Sequence, residues 1–166
     1  MGRFVFLSLG WLVVSLSLSG TAADAQCPSR WSSYNGHCYR VFMEKRRSWH
    51  EAEMICRQQG EGSHLASIHS REESDYVGWL VSLYVSIFHV WIGLADQWKN
   101  HNWAWSDGSR FQYTSWKLGE PNNFLWREHC VALWSFLRYR KWNDESCKMK
   151  RYFICKFQPQ SEGSTW

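Results

Sequence analysis

The sequence predicts an α+β domain held by disulfides. Three observations carry this: two capped helical patterns come first, short aromatic and β-branched runs follow them, and six cysteines are spread along the chain. The 166 residues suit one domain. Lys and Arg number 19 against 15 Asp and Glu, a net charge of +4, in a mixed pattern that excludes a wholly disordered, collagenous or coiled-coil chain. Thirteen Trp, seven Tyr and nine Phe make 17% aromatic residues, more than packing a core of this size needs.

The elements follow in order. Residues 1–23 read as a secretory signal peptide: a basic start at Arg3, an apolar run from Phe4 to Leu18, and small residues at Ala22, Ala23 and Ala25. The run is too short for a membrane span, so a secreted protein without membrane insertion is expected. The domain is then 24–158, and 159–166 is a polar tail. Ser48 with Glu51 forms a capping-box pattern, after which Trp49, Ala52, Ile55 and Cys56 share a face and Gly60 stops the helix. Ser70 with Glu73 repeats the device ahead of Tyr76, Val77, Leu80, Val81 and Tyr84. Strands are expected at Val90 to Leu94, Trp103 to Trp105, Val131 to Trp134 and Arg151 to Phe157. Between Trp105 and Val131 lies a long stretch rich in Gly, Asn and Pro, the kind of loop that carries function.

Cys27, Cys38, Cys56, Cys130, Cys147 and Cys155 all follow the signal, are even in number and contain no Cys-x-x-Cys pair. Three disulfides fit an oxidising compartment better than zinc or redox chemistry, although six cysteines allow fifteen connectivities. Sequence spacing alone does not choose among them, although bridges between the near neighbours Cys27 and Cys38, and Cys130 and Cys147, would close easily and leave Cys56 for Cys155.

Glu120, Asn122, Glu128, Asn143 and Asp144 form the densest polar constellation. They offer carboxylate and amide oxygens without thiolate or imidazole, the donor set that a hard cation such as Ca²⁺ selects. Three carboxylates balance a divalent ion with one negative charge to spare. Pro121 fixes the turn between Glu120 and Asn122, and a cis bond there points both side chains the same way.

Trp91-Ile92-Gly93-Leu94, Glu120-Pro121-Asn122, Trp142-Asn143-Asp144 and the order of the six cysteines together resemble the C-type lectin-like domain. With its leader and length, the chain is similar to the snake-venom C-type lectins. The resemblance spans Cys27 to Phe157. It implies two helices with small antiparallel sheets and a long calcium- and sugar-binding loop, and it selects the bridges Cys27–Cys38, Cys56–Cys155 and Cys130–Cys147. It further implies that Glu120, Asn122, Glu128, Asn143 and Asp144 hold Ca²⁺ and, with it, two neighbouring sugar hydroxyls. The Glu-Pro-Asn order goes with mannose-type sugars, because exchanging acid and amide reverses which side accepts and which donates.

Certain departures set this chain apart. The family's auxiliary calcium site falls on Asp96, Asn100, Asn123 and His129, which offer too little carboxylate. Phe124, Leu125 and Trp126 put three bulky apolar residues beside the sugar site, suited to stacking on a sugar or aglycone, masking the site, or binding protein. His101 stands where the non-sugar-binding venom branch carries its bridging cysteine, and the bridging cysteine that venom galactose lectins carry near Asp107-Gly108-Ser109-Arg110 is also missing, so agglutination would require a non-covalent homo-oligomer. The alternative function is that of a venom subunit binding a clotting factor or platelet receptor.

Basic clusters at Lys45-Arg46-Arg47, Arg138 with Arg140-Lys141, and Lys148 with Lys150-Arg151 suit sulfated glycans or anionic cell surfaces but read better as solvated faces, and no nucleic-acid role is expected. Trp91, Trp103, Trp105, Trp116 and Trp142 read as core and loop anchors. Glu120 and Glu128 resemble a glycosidase pair only in type, since calcium claims both and holds them ionised; no enzymatic activity is expected. There is no Asn-x-Ser/Thr sequon.

Overall fold

The computed structural model describes residues 26–160. The expected signal peptide, the first two residues of the expected domain and most of the polar tail lie outside the described residues.

The first helix, α1 (Trp49–Arg57), begins where the caps place it. The Glu51 carboxylate accepts the Ser48 backbone N–H at 2.8 Å and its hydroxyl at 2.7 Å. Trp49, Ala52 and Cys56 turn inward. The second helix, α2 (Arg71–Ser82), starts on Ser70, whose hydroxyl accepts the Glu73 N–H at 3.1 Å. Only that half of the second capping box forms. The Glu73 carboxylate instead takes the His69 N–H at 2.7 Å, the Tyr39 hydroxyl at 2.6 Å and the Lys156 ammonium at 2.6 Å. Two buried groups distant in sequence, Lys156 and Tyr39, thus share the carboxylate with the His69 backbone.

Among the described residues, eight strands form one continuous network: β1 (Ser32–Tyr34), β2 (His37–Arg47), β3 (His64–Leu65), β4 (Val90–Ala95), β5 (Ala104–Trp105), β6 (Cys130–Leu133), β7 (Trp142–Glu145) and β8 (Arg151–Phe157). The order is β1-β2-β8-β4-β6-β7, with β3 beside β8 and β5 beside β4. The antiparallel ladders are joined by one parallel pairing, β4 with β8, at Val90↔Tyr152 and Trp91↔Phe153. β4 is buried along its whole length. Its alternating side chains feed two cores: Val90, Ile92 and Leu94 pack with Val77, Leu80, Val131 and Trp142, while Trp91 and Ala95 pack with Trp49, Phe153 and the Cys56 and Cys155 sulfurs. This is why the strand reads as an unbroken apolar run rather than an alternating one.

The bridges are Cys27–Cys38, Cys56–Cys155 and Cys130–Cys147. Cys56–Cys155 ties α1 to β8, and Cys130–Cys147 ties the start of β6 to the turn after β7. β6 and β7 pair in register Val131↔Asp144 and Ala132↔Asn143. This hairpin carries two of the five candidate residues, Asn143 and Asp144, and the long loop before β6 supplies the other three.

Candidate functional site

Trp142 anchors the site from below. Fully buried, it meets Trp105, Tyr113 and Trp116 edge-on with ring centroids 5.7 Å apart. Backbone bonds from Trp142 to Ser115 and from Lys117 to Trp142 then lay the long loop along β7. Asn143 and Asp144 directly follow this anchor, so their positions are set by the core.

Asp144 ties β7 to the loop segment that carries Asn122 and Asn123. The buried Asp144 carboxylate accepts the Asn122 N–H at 3.1 Å and the Asn123 N–H at 2.7 Å. The Asn143 amide donates to the Asp144 carbonyl at 2.9 Å. Glu128 accepts the Phe124 N–H at 3.0 Å, and its own N–H donates to the Asn123 side chain at 3.1 Å. The Glu120–Pro121 bond is cis. Glu120 is 5% exposed in its side chain; one oxygen lies 3.2 Å from the Lys117 ammonium, and the other is buried with no hydrogen-bond partner among the described residues.

Electrostatics records the crowding. Burial pushes the Glu120 carboxyl above its ordinary value, with Lys117 opposing and the adjacent Asp144 reinforcing the rise. Burial also raises Glu128; the Phe124 N–H opposes this, and the Asp144 and Glu120 charges add to it. Carboxyls that resist ionisation together, one with an orphaned oxygen, fit a divalent cation, whose charge would offset the repulsion. Among the described residues, however, no three His, Cys, Asp or Glu side chains already form a metal-holding cluster. Two of the five donors are amides, and the Asp144 carboxylate is turned to loop N–H groups.

The sequence reading missed Lys117. Its ammonium pairs with Glu120 and lies 4.0 Å from the centroid of the Trp134 ring; the three-residue spacing from Lys117 to Glu120 was the available signal. At the auxiliary position, Asp96 is spent on the Asn100 and His101 N–H groups at 3.1 and 3.0 Å. His129 lies 3.5 Å from Asp96, and the Asn123 side chain serves Glu128 instead. Phe124, Leu125 and Trp126 form a 3-10 turn at the surface, 65%, 64% and 81% exposed.

A second polar group, Ser67, His69 and Asp107, also assembles. The Ser67 hydroxyl donates to Asp107, and a His69 ring nitrogen lies 3.0 Å from it. In a catalytic triad the acid orients the imidazole; here it binds the serine directly, so the cluster ties loops together.

Residues 45–157 match the model of the Lectin C-type domain. The chain belongs to the C-type lectin family. It is 58% identical over 166 residues to C-type lectin lectoxin-Lio2 of the snake Erythrolamprus poecilogyrus, covering 100% of both chains. Human lithostathine superposes with a TM-score of 0.75 at 35% identity, covering 80% of this chain and 99% of that one. The cow C-type carbohydrate-recognition domain of CD23, solved in the presence of GlcNAc2Man3 oligosaccharide, superposes with a TM-score of 0.71 at 28% identity, covering 82% of this chain and 98% of that one. C-type lectin domains generally bind calcium, and the family consists of binding proteins rather than enzymes. Among the described residues no helix is long and apolar enough to cross a membrane.

Proposed function

We propose that this protein is a secreted venom lectin that binds mannose-type sugars through Ca²⁺ held by Glu120, Asn122, Glu128, Asn143 and Asp144. The observation that carries this reading is the buried, unpartnered Glu120 oxygen beside Asp144, in a loop that also gathers Glu128 and two amides. When bound, Ca²⁺ supplies coordination positions for two neighbouring sugar hydroxyls. Glu120 and Glu128 accept the hydroxyl protons, while the Asn122 and Asn143 amides donate to the hydroxyl oxygens, which fixes the direction of each hydrogen bond. The snake lectoxin relative supports the venom assignment.

The decisive experiment is retention on immobilised mannose with calcium and then with EDTA, against galactose as control. Glu120→Gln with Asn122→Asp is expected to weaken mannose binding and shift preference towards galactose; an unchanged preference on a glycan panel overturns the assigned site. Agglutination of cells requires at least two sites per particle, hence a non-covalent oligomer.

The exposed Phe124-Leu125-Trp126 turn favours a second reading, a subunit that docks on a clotting factor or platelet receptor. No retention of folded protein on either sugar, together with platelet or clotting activity abolished by Trp126→Ser, would select it.

A further inference from the structure

A cleft of about 910 Å³ lies between α1 and three loops: the one after β4, the one before β6 and the turn after β7. Each of these segments contributes one cation: Arg57 from the end of α1, Lys99, Arg127 and Lys148. All four are exposed, and among the described residues none of them is in an ion pair. The two carboxylates lining the same cleft do not neutralise them. Glu53 is spent on His64 at 2.6 Å and on the Leu65 N–H at 2.9 Å, and Asp96 on the N–H groups of its own loop. Among the described residues the Ser106 hydroxyl of the lining is buried without a hydrogen-bond partner, and a buried His129 ring nitrogen faces the Asp96 carboxylate at 3.5 Å.

We propose that this cleft binds a sulfated oligosaccharide, on side chains other than Glu120, Asn122, Glu128, Asn143 and Asp144. Four cations from four segments match a ligand carrying several fixed negative charges at intervals better than a single small anion. Guanidinium and ammonium groups pair with sulfate oxygens, the guanidinium in a two-pronged geometry. The cleft falls within the usual range of small-ligand sites, roughly 300 to 1,000 Å³, which accommodates a few sugar rings. Its serine and histidine side chains suit ring hydroxyls between the charged groups. Recognition here does not pass through Ca²⁺, so it stands or falls independently of the mannose reading.

The test is calorimetry of the oxidised protein at low salt with EDTA present. The probes are a heparin-type sulfated hexasaccharide, the same hexasaccharide without sulfate, and a hexaglutamate peptide. Only the sulfated sugar should bind. Arg57→Gln with Lys99→Gln should weaken it by about tenfold or more, the scale of two lost charge-assisted bonds. Lys45→Gln with Arg71→Gln removes equal charge from exposed positions outside the cleft and should change affinity by less than about twofold. Should the first pair fold poorly, Arg127→Gln with Lys148→Gln carries the same expectation. Equal losses in cleft and control pairs, equal binding of the desulfated sugar or of hexaglutamate, or binding abolished by EDTA would each overturn the proposal.

Discussion

In the proposed calcium site, Lys117 carries a positive charge that an arriving cation would contend with, since its ammonium lies 3.2 Å from Glu120. Removing it takes away a like charge beside the ion, so Lys117→Gln is expected to tighten Ca²⁺ binding by about 1 kcal/mol, roughly fivefold, measured by calorimetry. Glu73 is the opposite case, a carboxylate already paired. Burial alone would raise its pKa, but hydrogen bonds from Lys156 and Tyr39 outweigh this and hold it below the ordinary 4.5. Glu145, bonded to His89 and Arg151, is lowered in the same way. A depressed folded-state pKa means that the unfolded chain takes up protons first as pH falls. The stabilisation is therefore complete above the ordinary pKa and drains away below it. Urea denaturation between about pH 7 and pH 3 should show this acid-side loss, with a shallower slope in Glu73→Gln. Lys156→Met leaves the Glu73 charge buried without its partner and should cost about 3 kcal/mol at neutral pH.

β4 shows how tightly one element is constrained by its neighbours. The Gly93 N–H donates to Ala66 and its carbonyl accepts from Ser106, so chain passes close on both sides. A Cβ there would sit 2.5 Å from the Leu65 carbonyl oxygen and 2.9 Å from the Ser106 hydroxyl. Gly93→Ala is thus expected to destabilise by about 2 kcal/mol through overpacking against backbone, read as a lower urea midpoint with unchanged slope. Elements whose pattern and caps agree were legible in the sequence: α1 from Ser48 and Glu51, β4 from its apolar run, β8 from Arg151 to Phe157. β2 was not, because its second half, Met43 to Arg46, is exposed and charged, so its pairing with β8 leaves no alternation to read. β7 was hidden for another reason. Trp142-Asn143-Asp144 reads as a ligand motif, and its strand character comes from pairing with β6, which no local propensity reports. In the site, the five oxygen donors were visible by residue type, whereas Lys117 over Trp134 and the diversion of Glu73 into the core depend on contacts between distant segments.

At the scale of the molecule, the three bridges divide the labour unequally. Cys27–Cys38 and Cys130–Cys147 close separations of 11 and 17 residues, while Cys56–Cys155 closes 99. On the chain-entropy model these loops stabilise by about 2.8, 3.1 and 4.7 kcal/mol. The long bridge also sits in the core beside Trp49, Leu65 and Phe153, so its sulfurs fill space as well as restrict the unfolded chain. The 17-residue bridge, whose Cys130 lies in the same core, also closes the β6–β7 hairpin that holds Asn143 and Asp144. Two separable outcomes follow for paired Cys→Ala variants. Removing Cys56 and Cys155 should lower global stability by about 4 to 5 kcal/mol and, in whatever fraction stays folded, leave Ca²⁺ affinity within about twofold. Removing Cys130 and Cys147 should cost less in denaturant midpoint but weaken Ca²⁺ binding more, because the hairpin end is freed to move. Midpoints and calcium titrations on both variants check the assignment: if the two lose calcium affinity in step with their stability, the short bridge has no special hold on the site.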